Sequence, residues 1–181
     1  MRVVDAAQRL FLERGFRGTT IRDVAADAGV SVGTVMAVGD KDALLLEAFD
    51  RWVGAVHEEW DAGERPFPAE GDPAARIGAV VQPFLDLFNS RLELTREYGA
   101  IFARGAGEAE VFTGLAVKLT AGFTAVLADA GLGDTTDAAG RAVYFSYLGL
   151  LMAHAALAPD LSGVRTQLEE VVTVLVRPDE T

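Results

Sequence analysis

The sequence contains no cysteine, which excludes a disulfide framework, a thiol nucleophile and a thiolate metal site. Histidine is nearly as scarce. Only His57 and His154 occur, and neither completes a metal motif: after His57-Glu58, Asp61 stands where HExxH needs its second His, and Gly54 and Leu151 stand where ExxH needs its acid. No run of about 18 apolar residues escapes interruption by Arg, Lys, Asp or Glu, so no membrane span is expected. The opening residues, MRVVDAAQRLFLERG, already carry Asp5 and Glu13 and do not read as a secretory signal. There is no G-x-S-x-G elbow. Gly105-Ala106-Gly107 and Gly131-Leu132-Gly133 lack both the third glycine and the preceding strand of a nucleotide loop, and read as helix ends. Glu58-Glu59 and Glu169-Glu170 are adjacent pairs that point apart on a helix. No catalytic constellation, cofactor or metal is therefore expected, and a cytoplasmic protein is the natural reading.

Positive charge is also in short supply, with a formal net charge of −11. Its distribution says more than its sum. Up to Arg22 there are five Arg (Arg2, Arg9, Arg14, Arg17, Arg22) against two acids, Asp5 and Glu13. From Asp61 onward nine basic residues face seventeen acidic ones. The basic end is where phosphate contact would be sought.

What is abundant is apolar residue at helical spacing. Half the chain is hydrophobic, ample for a core. Val3, Ala7, Leu10 and Phe11 share one face of a first helix that Gly15 ends. Thr20-Ile21-Arg22-Asp23 forms an S/T-x-x-acid box opening a second helix to Ala28. Gly29 breaks it, and Ser31 caps a third that runs to Val38. Gly39-Asp40 starts a long fourth helix with a stripe of Leu45, Ala48, Phe49, Trp52 and Val56, fading near Trp60. His57 falls at its end and reads as solvated. The segment Gly63 to Pro73 holds three of the six prolines and reads as a linker. Further helices are predicted near 74–90, 91–105, 108–130, 135–157 and 161–176. No period-two alternation signals a sheet. The expected class is all-α.

Three short helices and a long one within about sixty residues is the arrangement of a helix-turn-helix, the steep turn lying at Gly29-Val30. AAQRLFLERGFRGTTIRDVAADAGVSVGT resembles the DNA-binding domain of the tetracycline-repressor (TetR) family. The shared features are AA before LF, G-F before TT, and I-x-x-V-A-x-x-A-G-V-S-x-G-T. Asp40–Leu45 (DKDALL) matches the usual opening of that family's helix 4. The resemblance implies an N-terminal DNA-binding domain over 1–60, its helix-turn-helix at about 20–39. It also implies a helical effector-binding and dimerisation domain over 61–181. Carried over by position, it gives Thr20 and Arg22 as phosphate contacts and Lys41 as a third, with Ser31, Val32, Gly33, Thr34 and Met36 on the exposed face of the recognition helix. Gly33 would let the backbone approach the duplex.

Departures from the family pattern lie in that helix. Val32 stands where a basic or polar residue is usual, and Val35-Met36-Ala37-Val38-Gly39 is one residue short of an end that is normally aromatic-rich. No Arg, Lys, Asn or Gln is offered for bidentate base recognition.

Aromatic residues gather later, at Phe84, Phe88, Tyr98, Phe102, Phe112, Phe123, Tyr144, Phe145 and Tyr147. A helical core explains most of them. The family resemblance adds a pocket for a small apolar or aromatic effector, with Phe88, Tyr98, Phe102, Tyr147 and His154 as its candidate lining. The last two predicted helices carry more apolar breadth than one buried stripe needs: Val143, Leu150, Leu151, Leu157, Leu168, Val171, Val172, Leu175 and Val176. Gly149, Ala153 and Ala156 permit close approach, so a homodimer is expected there. The reading is a transcriptional regulator, a repressor released from a palindromic operator on double-stranded DNA by its effector. The rival is a helical ligand-binding or interaction protein whose DNA-binding module has lost its operator.

Overall fold

The computed structural model describes residues 2–62, 70–105 and 110–177, the side chains of 61 and 110–115 excepted. The described residues are helical, with no strand. The order is α1 (Arg2–Arg14), α2 (Ile21–Ala28), α3 (Val32–Val38), α4 (Lys41–Asp61), α5 (Pro73–Asn89), α6 (Leu92–Ala103), α7 (Glu110–Asp129), a 3₁₀ turn at Gly133–Thr135, α8 (Thr136–Leu157) and α9 (Ser162–Leu175). The limits of α5 to α9 fall within two residues of those expected from periodicity. Most of the expected linker, Gly107 and the Phe112 side chain lie outside the described residues.

Local chemistry accounts for the starts of the early helices. The Thr20 hydroxyl accepts the Asp23 N–H at 3.2 Å while the Asp23 carboxylate accepts the Thr20 N–H at 2.9 Å, a reciprocal capping box. The Thr20 hydroxyl, then its backbone N–H, hold the Asp23 carboxyl below its ordinary pKa. The Asp40 carboxylate accepts the Ala43 N–H at 2.8 Å and caps α4. Ahead of α9, Asp160 accepts from the backbone and hydroxyl of Ser162, which turns the chain before the helix.

The chain divides into two compact units, Met1–Glu59 with Leu87–Glu108, and Trp60–Asp86 with Ala109–Thr181. Sequence reading places everything after residue 60 in one domain, whereas residues 87–108 group with the N-terminal helices. The reason is visible in the first unit's core. Phe49, fully buried on α4, stacks on Tyr98 of α6 at 4.3 Å and on Phe88 at 5.8 Å. Ion pairs from Arg17 to Glu97 (2.9 Å) and from Arg104 to Asp42 (3.0 Å) add α6 to the same unit at the surface. Such exposed pairs stabilise by at most about 1 kcal/mol each, so the rings dominate. His57 is buried, contrary to the expected solvated position, because it lies one helical turn beyond buried Val53.

In the second unit α7, α8 and α9 pack consecutively. Leu119, Phe123, Leu127, Val143, Leu168 and Val172 form its core. Gly140 brings α8 close to α7, since a Cβ there would collide with the Thr124 hydroxyl. Among the described residues no helix is long and apolar enough to cross a membrane, and no group of three metal-ligating side chains gathers.

Candidate functional site

The pair α2–α3 is built around a single backbone requirement. Gly29 takes φ 66° and ψ 37°, the left-handed conformation, and its N–H bonds back to Ala25 and Ala26. A Cβ at Gly29 would meet nothing within 4 Å, so conformation rather than crowding calls for glycine. Val30 follows, half-buried, its N–H on the Ala25 carbonyl at 3.0 Å. Val35 is the one buried residue of α3 and fastens the helix to the unit.

The rest of α3 is outside. Val32 is 43% exposed, Met36 51% and Val38 55%. Ser31, Gly33, Thr34 and Ala37 are exposed too. The Ser31 hydroxyl accepts the Thr34 N–H at 3.1 Å and lies 2.9 Å from the Thr34 hydroxyl, so these two polar groups serve the helix start and each other. The face that remains is apolar.

The basic residues around it are mostly neutralised. Arg9 pairs with Asp27 at 2.6 Å, Arg14 approaches Asp23 at 4.0 Å, and Arg17 holds Glu97. Arg22 is exposed, beside the exposed cap Thr20, and has no ion pair among the described residues. Lys41 is placed otherwise than expected for a phosphate contact. Its ammonium donates to the carbonyls of Phe16 (2.9 Å) and Thr19 (3.1 Å) and sits 4.1 Å from the centre of the Phe16 ring. Those bonds clamp the α1–α2 loop. The buried Thr19 hydroxyl completes the clamp by donating to Leu10 and Gly15 carbonyls. The G-F-x-G-T-T run carries this loop, but nothing in its spacing points to Lys41.

The five candidate effector residues fall in both units. Phe88, Tyr98 and Phe102 belong to the first unit, and Tyr147 and His154 to the second. Phe88 and Tyr98 are spent on the Phe49 stack, while Phe102 is 38% exposed. His154 reaches Gln167 at 3.4 Å, with its ring against Gly163. Tyr147 is different: it is 3% exposed, and its hydroxyl has no hydrogen-bond partner among the described residues. Burial, followed by nearby Tyr144, raises its pKa and keeps the phenol neutral.

Four of the residues expected at a dimer face, Val143, Leu151, Leu168 and Val172, are buried within the chain's own core. An apolar outer face remains nonetheless. Phe145 (65%), Leu157 (88%) and Val174 (65%) are exposed on α8 and α9, with exposed Gly149, Ala153 and Ala156 between. An open groove of about 750 Å³ runs along the two helices past Leu150, Val171 and Leu175. Phe145 was legible at four-residue spacing from Gly149 and Ala153, a stripe of helix separate from the core stripe.

Comparison with known proteins places this geometry. Residues 3–48 match the family model described as bacterial regulatory proteins, tetR family. The HTH-type transcriptional regulator BetI of Burkholderia cenocepacia (strain HI2424) is 41% identical over 86 residues, 46% of this chain and 43% of BetI. The uncharacterized HTH-type transcriptional regulator YerO of Bacillus subtilis (strain 168) is 37% identical over 89 residues, 47% of this chain and 31% of YerO. The chain thus spans less than half the length of these relatives. Among solved structures, Thermus thermophilus FadR, a TetR-family transcriptional repressor in complex with lauroyl-CoA, superposes with a TM-score of 0.67 at 22% identity. That match covers 99% of this chain and 97% of FadR. A transcriptional regulator from Rhodococcus sp. RHA1 superposes at 0.66 and 21% identity, covering 97% and 94%. At these identities the structures speak for the fold.

Proposed function

We propose that this chain, whose residues 3–48 match the tetR family of bacterial regulatory proteins, is a member of that family and a cytoplasmic DNA-binding transcriptional regulator acting as a homodimer. The observation that carries the reading is the α2–α3 pair: two helices crossed at a left-handed Gly29, one held by Val35 alone and otherwise bare. Such a helix suits the major groove, with Thr20 and Arg22 meeting phosphate at the start of α2. Ser31, Val32, Gly33, Thr34 and Met36 then line the groove. Two copies joined through the α8–α9 face would present two such helices to a palindromic operator. The exposed Phe145, Leu157 and Val174 are the apolar surface that joining would cover.

An effector bound in the second unit would release the DNA. The buried Tyr147 hydroxyl supports this part, because an unsatisfied buried donor costs about 1–3 kcal/mol and a ligand acceptor would recover it. A small, largely apolar molecule with one hydrogen-bond acceptor fits the need. Linkage then requires that DNA weaken effector binding by the same factor as the effector weakens DNA binding. The rival, a ligand-binding protein that has lost its operator, is not favoured by a family match lying squarely on the helix-turn-helix. The test is a gel shift on the duplex flanking the protein's own gene. A discrete retarded band, lost with excess unlabelled copy but not with bulk DNA, is expected; no band at micromolar protein would refute the reading.

A further inference from the structure

The face of α3 poses a problem that DNA binding alone does not solve. A recognition helix ordinarily presents amide or guanidinium groups that pair with base edges. Here Val32 and Met36, one turn apart and about half exposed, occupy the outer face, with Ala37 and Val38 beside them. The two hydroxyls nearby are engaged, Ser31 and Thr34 with each other and with the helix start.

Gly33 adds an independent observation. Glycine inside a helix is less favourable than alanine. Nothing in the protein demands it at this position, because a Cβ would meet only the Ser31 hydroxyl, at an ordinary 3.7 Å. The missing side chain therefore leaves room for something outside the protein. On a helix-turn-helix, that something is the duplex.

We propose that α3 reads its half-site through thymine 5-methyl groups, which Val32 and Met36 cover while Gly33 lets the backbone come close. The inference rests on the DNA reading above and sharpens it. In the major groove the thymine methyl is the one apolar feature that distinguishes a base pair, and it is the feature that an aliphatic face without donors can recognise. Burying a methyl contributes about 0.8 kcal/mol, which corresponds to about four-fold in affinity for each thymine so covered. Half-sites should accordingly be rich in thymine under α3, with guanine contacts absent there.

The experiment begins with selection of duplexes by the full chain from a randomised library. The most enriched duplex is resynthesised with uracil for thymine inside the half-sites, and separately with uracil only outside them. Uracil pairs as thymine does but lacks the methyl, so the exchange removes the proposed contact and little else. Inside the half-sites it should weaken wild-type binding by about four-fold per methyl; outside it should leave binding unchanged. The double variant Val32→Ser, Met36→Ser touches no core residue, keeps its fold by melting, and should lose most of its sensitivity to uracil. Equal wild-type binding to thymine and uracil half-sites would overturn the inference while leaving the DNA reading standing. Enrichment of no duplex would bring down both. If the double variant instead converts a free dimer to a monomer, the face belongs to a second copy and the inference falls.

Discussion

Each unit leaves an apolar surface uncovered, and the two surfaces differ in what surrounds them. The α3 face is small, seven residues long, with an exposed Arg22 and a capping Thr20 at the start of the neighbouring helix. The α8–α9 face is broad, carrying Phe145, Leu157 and Val174 with small residues between. A small apolar face beside a free cation suits the major groove, where methyls and phosphates lie close together. A broad one interleaved with glycine and alanine suits another copy of the same helices. The lesson is that exposed hydrophobicity specifies a partner only together with the charge and side-chain size around it.

The comparison breaks most visibly if the broad face is spoiled. Phe145→Asp with Val174→Asp changes two exposed positions, so the chain should still fold. Self-association should weaken by at least about a hundred-fold, or ~3 kcal/mol. Light scattering at micromolar concentration should then report a monomer where the parent is a dimer. A parent that is itself monomeric would remove the assignment of this face.

Next in size is Lys41→Ala, which distinguishes a clamp from a phosphate contact. It leaves the Phe16 and Thr19 carbonyls short of a charged donor, and stability should fall by about 2 kcal/mol in chemical denaturation. The salt dependence of DNA binding should be that of the parent. An unchanged stability with a shallower salt slope would return Lys41 to the duplex.

Gly33→Ala sharpens the contrast between fold and partner because its two effects have opposite signs. Melting should shift upward by the equivalent of about 0.5 kcal/mol, while affinity for the selected duplex falls. An alanine that stabilises without weakening DNA binding would show the space at Gly33 to be incidental.

How far the sequence disclosed all this follows the same division. The first unit was readable because its helix starts and turns are set by local chemistry: the Thr20–Asp23 box, Gly29 and Ser31 act within four residues of themselves. The α5–α9 limits were readable from periodicity alone. The grouping of residues 87–108 with the N-terminal helices was not, since it depends on Phe49 meeting Phe88 and Tyr98 across some forty to fifty residues of chain. The Lys41 bonds to the Phe16 and Thr19 carbonyls are hidden for a related reason: a lysine at a helix start looks the same in sequence whether its ammonium faces phosphate or two carbonyls. Tyr147 reads in sequence as one pocket aromatic among several, and only burial singles out its hydroxyl.

The smallest effect expected concerns pH. Burial, then the charge of Glu47, raises the Asp50 carboxyl to about 6 in the folded first unit. A carboxyl whose folded pKa lies above its unfolded value favours folding in its protonated form. Its contribution is therefore present in full below the unfolded pKa of 3.8 and is lost as pH rises through about 6. Asp50→Asn should raise the melting temperature at pH 8 and leave it little changed near pH 4. Equal shifts at both pH values would point to packing instead of titration.

The central claim is that the α2–α3 pair binds duplex DNA with Arg22 on the phosphate backbone. It is tested most directly by fluorescence anisotropy of the duplex flanking the protein's own gene, for parent and Arg22→Ala, over a series of salt concentrations. The account predicts tight binding by the parent. It also predicts weaker binding by Arg22→Ala to every sequence alike, with the salt slope reduced by about one. A parent that does not bind, or an Arg22→Ala chain that keeps the parental slope but chooses a different sequence, would contradict it.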